Sequence, residues 1–311
     1  MSTVVVTGIT GKSGSFFLKR LHQSPPIGYK FRFIVRDPKF AEDCSHLLEN
    51  IPHEIIIADL NNIKDYDNIF TSKEEKVDVL FHIAGIYFSN QLVTYALRNM
   101  VKRIILVHTT GIYSKYKSAS NDYLAIERAI NCTFDNYKAN GHTVSLSILR
   151  PTMIYGDLND RNLCVFIKMT DKLRLFPIIN KGNNTIQPVW CKDLGNAYYD
   201  FLLSTNTSNK NYVLSGKKPM TTREMLEEIA TQLKVKNSFL SVPFWIAYSG
   251  SWMLFVLTFG KIDYREKVQR MVEDRAFSHD EASKDFGYCP SSFRDGIQEE
   301  IDMYLKSCKK S

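Results

Sequence analysis

No disulfide framework, metal cluster or export signal is visible in this chain. Its six cysteines, Cys44, Cys132, Cys164, Cys191, Cys289 and Cys308, form no CxxC pair, and none stands near a second Cys or His at zinc-ligand spacing. Free thiols in a reducing cytoplasm are therefore expected, and no metal. The opening Met1-Ser2-Thr3 runs straight into Val4-Val5-Val6, without the basic region and long apolar stretch of a signal peptide. Low-complexity tracts and internal repeats are missing. So are helix-turn-helix, zinc-finger and RNA-binding signatures. The chain carries 40 Lys and Arg against 33 Asp and Glu, a net charge of +7, but the cations do not gather into the stripe that a nucleic acid requires. No nucleic-acid partner is expected, and the surplus suits an anionic ligand or surface.

What is present is an ordinary globular composition over 311 residues, 44% hydrophobic and 23% charged. That length fits one large domain, or one of about 150 residues with a smaller companion. Short apolar runs at 3–7, 31–35, 54–58, 77–83, 103–108 and 143–149 read as buried strands, each ending in polar or glycine residues. Helical spacing fills the gaps, as at Ser15–Leu21, Gln91–Asn99 and Tyr123–Tyr137. Strands alternating with helices predict an α/β fold, a Rossmann-type doubly wound parallel sheet over 1–150, with return segments near 185–204. From 151 to 311 the pattern loosens into a smaller, mostly helical region expected to bind substrate. Helices are predicted at Asp193–Ser204, at Thr221–Leu233 with Thr222 as its cap, and at Phe293–Leu305, with short pieces at 171–177 and 185–189.

Gly8, Gly11 and Gly14 form GxxGxxG between the first strand and the first helix. The first glycine serves the turn, the second lets backbone approach a pyrophosphate, and the third lets helix and strand pack closely. With Thr10, Lys12 and Ser13 they make a phosphate loop at a helix N-terminus. Where the second strand ends, a carboxylate would hold the ribose 2′-hydroxyl of NAD. This chain has Arg36 there, suited to the 2′-phosphate of NADP, with Lys12 expected at the same corner. NADP is thus the expected cofactor; NAD, with Asp37 on the ribose, is the alternative.

These residues resemble the extended short-chain dehydrogenase/reductases of the NAD-dependent epimerase/dehydratase group, over nearly the whole length. Thr7–Gly14 resembles the family's TGxxGxxG loop. Asp59-Leu60 resembles the pair that brackets adenine, and His82-Ile83-Ala84-Gly85 stands for the fourth-strand motif lining the cofactor. Leu149-Arg150-Pro151 through Tyr155-Gly156 resembles its RPxxxYG segment, and 188–193 resembles a later strand-to-helix motif. The run from Arg150 through Asp157 to Asp160-Arg161-Asn162, with the stretch from Glu273 to Pro290, is similar to bacterial proteins described as nucleoside-diphosphate-sugar epimerases. The resemblance implies a Rossmann fold, a nicotinamide cofactor and chemistry by a Ser/Thr after the fifth strand with a Tyr-x-x-x-Lys on the next helix.

The sequence departs from that chemistry. Thr109 matches the Ser/Thr position. The helix reads Asp122-Tyr123-Leu124-Ala125-Ile126-Glu127-Arg128, which admits two alignments. In one, Tyr123 is the family tyrosine and Glu127 replaces the lysine; a carboxylate beside a tyrosine raises its pKa, the wrong direction. In the other, Glu127 is the family's later glutamate, Tyr123 replaces the lysine, and Ala119 takes the tyrosine position. Neither keeps the pair. Thr109 and Tyr123 are the catalytic candidates, with Lys115, Lys117 or Arg128 as substitute cations. Tyr155 and Arg161 are the substrate-side candidates, Arg161 for an anionic group such as a diphosphate. Arg150 is expected as a structural partner at the sheet end, and His82 and His108 as buried, satisfied histidines.

Three functions stay open: an NADP-dependent oxidoreductase or epimerase with rearranged acid–base groups, acting on a small molecule such as a sugar nucleotide; a dinucleotide-binding regulator or scaffold without turnover; and a steroid- or lipid-directed reductase. The uncharged stretch Asn237–Gly260 is long enough to span a bilayer, but Pro243, Gly250 and several Ser and Thr interrupt it and lysines flank both ends. It is expected to bury against protein or a membrane surface, with peripheral attachment through Trp245, Trp252 and Phe255 as one form of this. The expected location is cytoplasmic, with a peripheral position at the inner face of the membrane as the alternative. By analogy with the family, a homodimer would use Gln91–Met100 and Tyr123–Asn136.

Overall fold

The computed structural model describes residues 1–71, 76–158, 160, 163–173 and 175–310. Its centre is a seven-stranded sheet, all parallel. The strands are β1 (Ser2–Thr7), β2 (Tyr29–Val35), β3 (His53–Ile57), β4 (Val79–His82), β5 (Arg103–Val107) and β6 (Ser145–Pro151). Between them run α1 (Lys12–Gln23), the short α2 (Phe40–Asp43) and α3 (Ser45–Leu48), α4 (Tyr66–Phe70), α5 (Ser89–Arg98) and α6 (Lys117–Ala139). Strand order in space is β3-β2-β1-β4-β5-β6 followed by a late strand. The order reverses between β1 and β4, and a ligand crevice opens beyond the carboxyl ends at that switch point.

β1 is a run of β-branched residues because both its faces are covered: Val4, Val5 and Val6 are fully buried. One layer packs Phe17, Leu18 and Leu21 of α1 with Tyr198, Phe201 and Leu202 of a later helix. The other packs Tyr66 of α4, Leu92, Val93 and Ala96 of α5, and Ile130 and Phe134 of α6.

The second part of the chain contains β7 (Ile154–Tyr155), α7 (Leu163–Lys172), β8 (Leu175–Ile179), β9 (Thr185–Ile186), β10 (Val189–Trp190), α8 (Cys191–Leu203), β11 (Asn211–Leu214), β12 (Met220–Thr221), α9 (Thr222–Leu233), β13 (Ser238–Val242), α10 (Phe244–Leu257), α11 (Arg265–Arg270), α12 (Asp280–Phe286) and α13 (Phe293–Lys310). It does not stand apart from the first. α8 lies along α1, so closely that a Cβ on Gly195 would sit 2.5 Å from the Phe16 Cβ. β11 pairs with β6 as the seventh strand, and Ala282 and Tyr288 join the sheet core. The remainder has its own core around Tyr155, Ile167, Phe176, Trp190, Ile229 and Ile301. The cap of α9 is Thr221, not the expected Thr222. Glu224 follows Thr221 by three residues, and the two close a capping box: the Thr221 hydroxyl accepts from the Glu224 amide at 3.1 Å, and the Glu224 carboxylate accepts from the Thr221 amide at 2.7 Å.

Candidate functional site

The glycine loop turns at Gly8, whose φ of +80° only glycine adopts freely. A Cβ there would lie 2.5 Å from the Ala84 nitrogen, so β1 and β4 meet with no side chain between them. A Cβ on Gly14 would lie 2.1 Å from the Gly8 carbonyl oxygen, which fixes how closely α1 approaches the loop. At Gly11, the N-cap of α1, a Cβ would touch only the Gly8 oxygen, at 3.2 Å. Gly11 and Thr10 are exposed, and no side chain caps the helix. The first-turn amides thus face outward from a cradle without side chains, which is what a diphosphate requires. Ser13 is buried, its Oγ 3.3 Å from the Tyr198 hydroxyl.

Lys12 differs from expectation. Its Nζ lies 3.2 Å from the Asp157 carboxylate, beyond β7, so its charge is directed there instead of to the corner of Arg36. Arg36 and Asp37 are both exposed at the end of β2. The Asp37 carboxylate accepts from the Lys39 amide at 3.0 Å, a local turn contact. Asp59, at the end of β3, accepts from the Asn61 amide and side chain, and these contacts, aided by the nearby Arg36 charge, hold its carboxyl below the usual range. Leu60 is buried, its carbonyl accepting from the Tyr66 hydroxyl at 2.8 Å.

Beyond β4 and β5 lies a cavity of about 300 Å³, walled by Ser13, Ala84, Gly85, Tyr87, His108, Thr109, Tyr123 and Ile154 among others. Thr109 and Tyr123 meet here across Gly111, whose added Cβ would lie 3.1 Å from the Tyr123 ring and 3.3 Å from Thr109 Oγ1. Thr109 Oγ1 accepts from the Gly111 amide at 3.0 Å and keeps its own proton to donate. The rings of Tyr87 and Tyr123 are 6.0 Å apart, and a hydrogen bond with Tyr123 pushes the Tyr87 phenol above its usual range. Tyr87 escaped the sequence reading; the one signal for it is its place just after Ala84-Gly85. Among the described residues, none of those lining the cavity is a lysine or arginine; the Lys117 side chain lies outside them.

Behind the cavity wall a polar chain runs through the protein. His108 Nδ1 is 2.9 Å from Glu127 Oε1, and Nε2 is 3.0 Å from Ser89 Oγ. A carboxylate can only accept, so Nδ1 carries the proton and Nε2 accepts from Ser89. Arg150 forks onto the same carboxylate, with Nε and one terminal nitrogen at 3.2 and 2.6 Å. All four residues are buried. Burial pushes the Glu127 carboxyl up, but the bonds from His108 and Arg150 outweigh it and leave it lowered. His108 is lowered, chiefly by burial, and is neutral. His82 is fully buried, its Nδ1 2.6 Å from the Thr7 hydroxyl and its Nε2 3.2 Å from the Gly85 carbonyl; burial drives its pKa down to about 3. Both histidines are satisfied members of the scaffold.

Of the remaining candidates, Pro151, Tyr155 and Lys115 are not among the residues that line the cavity, and the Lys117 side chain lies outside the described residues. Pro151 ends β6 with its carbonyl accepting from the Thr110 hydroxyl at 3.2 Å. Tyr155, expected at the substrate, is 1% exposed, packed against Phe293 and under Gly296, where a Cβ would lie 2.3 Å from its hydroxyl. Alternation along β7 turns Ile154 to the cavity and Tyr155 to the core. Arg161 lies outside the described residues. Lys115 is exposed, and its amide donates to Glu273 at 2.7 Å. No group of His, Cys, Asp and Glu that could hold a metal occurs among the described residues.

No protein-family model matches the chain, and no curated protein matches it. Many solved structures do. UDP-glucose 4-epimerase from Thermotoga maritima aligns with a TM-score of 0.69 at 14% identity, over 98% of this chain and 99% of that one. UDP-glucuronic acid 4-epimerase from Bacillus cereus, in complex with NAD, aligns at 0.68 with 17% identity over 98% and 99%. Triphenylmethane reductase from Citrobacter, complexed with NADP(H), aligns at 0.70 with 19% identity over 96% and 99%. At these identities the likeness establishes the fold: the chain shares the architecture of these proteins over nearly its whole length.

Proposed function

We propose that the protein is an NADP-dependent oxidoreductase or epimerase of an atypical short-chain type, acting on a small molecule of the nucleotide-sugar class. The observation that carries this reading is the continuity of the side-chain-free cradle at Gly8–Gly14 with the cavity where Thr109 and Tyr123 meet. Solved structures of the same fold that are described as bound to NAD or NADP(H) support it.

When bound, the nicotinamide supplies or accepts a hydride. This chain's own residues do the rest. The amides opening α1 hold the diphosphate. Arg36 takes the 2′-phosphate, a role supported by the engagement of Asp37 with Lys39. Asp59 and Leu60 flank the adenine. Thr109 Oγ1 donates to the reacting oxygen of the substrate and polarises it. Tyr123 lends a second hydroxyl, tied to Tyr87.

The burial of Glu127 between Arg150 and His108 favours the alignment in which Glu127 is the family's later glutamate and Tyr123 stands in place of its lysine. On that alignment the site lacks the cation that activates the family's proton donor, and proton transfer through a tyrosine is a minor contribution. The test is turnover on a panel of UDP- and dTDP-sugars with NADP⁺ and NADPH, read by product chromatography. Conversion of at least one sugar is expected. Saturable cofactor binding without conversion of any would favour the regulator reading.

A further inference from the structure

α10 is apolar around its whole circumference and lies on the outside of the molecule. Of its side chains only Ser251 is buried, while Trp245, Met253, Val256 and Leu257 are 68%, 63%, 60% and 68% exposed. A surface helix ordinarily buries an apolar stripe and hydrates the opposite face. A continuous apolar surface of this kind marks a place that meets another apolar phase. The turn that follows adds a second, independent sign. Phe259 has a φ of 51° and is 94% exposed, held there by Gly260, whose amide donates to the Phe255 carbonyl at 2.8 Å. A left-handed backbone and an aromatic ring in water are both unfavourable for phenylalanine. The arrangement makes sense where an apolar medium receives the ring.

The charges around the helix say which medium. Lys234 and Lys236 precede β13, Lys261 and Lys267 follow the Phe259 turn, and all four are exposed. The acid closest to the helix end, Asp263, is neutralised by Arg265 through bonds of 2.9 and 2.7 Å. The Arg265 guanidinium in turn lies over Phe255 and Trp252, 3.9 and 4.5 Å from their ring centroids. An uncharged apolar helix carrying Trp245 and Trp252, with lysines on both sides, suits an anionic bilayer, where apolar side chains enter the leaflet and ammonium groups reach the phosphates. A protein groove would receive one face of a helix and leave the other hydrated. No helix among the described residues is long and apolar enough to cross a membrane. At about 1.5 Å per residue α10 is also shorter than the roughly 30 Å hydrocarbon core.

We propose that α10 and the Phe259 turn insert into one leaflet of an anionic phospholipid membrane, with Lys234, Lys236, Lys261 and Lys267 on the headgroups. This inference is independent of the cofactor reading. Beyond α11 the chain returns to the loop that follows Thr109: Glu273 accepts from the Ser114 hydroxyl at 2.9 Å and the Lys115 amide at 2.7 Å.

The experiment is flotation of the full-length protein with phosphatidylcholine vesicles, with and without one-third phosphatidylglycerol. Tryptophan quenching by brominated lipid is read in parallel. Trp190 is buried, so quenching reports Trp245 and Trp252. The protein should float with the anionic vesicles, roughly tenfold or more weaker without phosphatidylglycerol or at high salt, and its tryptophans should be quenched. Leu257→Asp with Trp245→Ser should weaken flotation by about tenfold or more. Both side chains are solvent-facing, so circular dichroism should be unchanged. Lys261→Gln with Lys267→Gln should remove only the preference for anionic lipid. The proposal is overturned if the folded wild type neither floats nor is quenched. It is equally overturned if light scattering shows a solution dimer that Leu257→Asp dissolves, since α10 would then be covering a second copy.

Discussion

Two helices of very different apolar content behave in opposite ways here. α1 carries Phe17, Leu18 and Leu21 on one side and buries all three between the sheet and α8, leaving its polar N-terminus to face the crevice. α10 carries apolar residues on every side and leaves most of them in the open. Around the crevice, polar groups are aimed and apolar ones covered; at α10 the apolar groups are on display and the charges are moved to the flanks. The comparison shows that a helix with one apolar stripe can bury it against a core, whereas a helix apolar on every side leaves apolar surface uncovered. It also sets a crevice lined by positioned polar groups against a helix whose apolar groups are left largely exposed.

The crevice side of this comparison can be broken most sharply at Gly14. A Cβ there would press on the Gly8 carbonyl at 2.1 Å, and a backbone atom cannot swing away. Gly14→Ala should therefore cost about a hundredfold or more in dinucleotide affinity by calorimetry, about 2.7 kcal/mol, while leaving α10-dependent flotation untouched. Next is the polar chain behind the wall. Glu127→Ala would leave Arg150 buried without its counter-charge and His108 without its acceptor, and should cost about 3–5 kcal/mol of stability in urea unfolding. Glu127→Ala with Arg150→Met should cost less than the two changes added separately, because the stranded charge is gone. If Glu127→Ala unfolds like the wild type, the chain is ornamental.

A smaller effect is expected inside the cavity. Thr109→Ala should lower turnover by about 10²-fold, because it removes a donor at the reacting oxygen. Tyr123→Phe should lower it by less than about tenfold, because no lysine or arginine among the described residues lines the cavity to activate the phenol. A thousandfold loss in Tyr123→Phe alone would contradict this and reveal an activating cation.

A pH-dependent effect is expected in the core of the second region. Glu300 is fully buried and accepts from the Gly156 amide at 3.0 Å; burial, then the neighbouring Asp160 carboxyl, pushes its pKa up to about 9. The folded chain therefore keeps a proton that the unfolded chain releases above about pH 4.3. The associated stabilisation is complete below that pH and is lost as the pH rises toward 9. Glu300→Gln removes the loss, so its melting temperature should exceed that of the wild type at pH 8 by about 2–4 °C per kcal/mol recovered. At pH 4.5 the two should melt together. An equal difference at both pH values would show that the group does not titrate in the fold.

Much of the fold was legible because it is written in local patterns. The first six strands, the phosphate loop and most long helices announce themselves through β-branched runs, glycine spacing and apolar periodicity. β11 did not: it is only Asn211–Leu214, and pairing with β6 makes it a strand. α7 was missed where its ten residues follow a polar loop. The close-packed glycine loop and the meeting of Thr109 with Tyr123 at one cavity could be anticipated from type and spacing. The partner of Lys12 could not, because Asp157 is brought to it by the fold. The burial of Tyr155 was not legible, since it follows from how the short β7 pairs with β10. The Asn237–Gly260 stretch was legible as apolar and as non-spanning. Its exposure was not, since that depends on which surface the rest of the chain leaves uncovered.

The central claim is that the Gly8–Gly14 cradle with Arg36 binds a phosphorylated nicotinamide dinucleotide. Calorimetric titration of the wild-type protein with NADPH and NADH, repeated with Arg36→Asp, tests it most directly. Saturable binding of both is expected, with NADPH tighter by roughly tenfold or more, the worth of one charge-assisted contact at about 1.5–3 kcal/mol. Arg36→Asp should erase that preference by weakening NADPH alone. No saturable binding of either cofactor would contradict the account of the crevice, and equal affinities in the wild type would contradict the role given to Arg36.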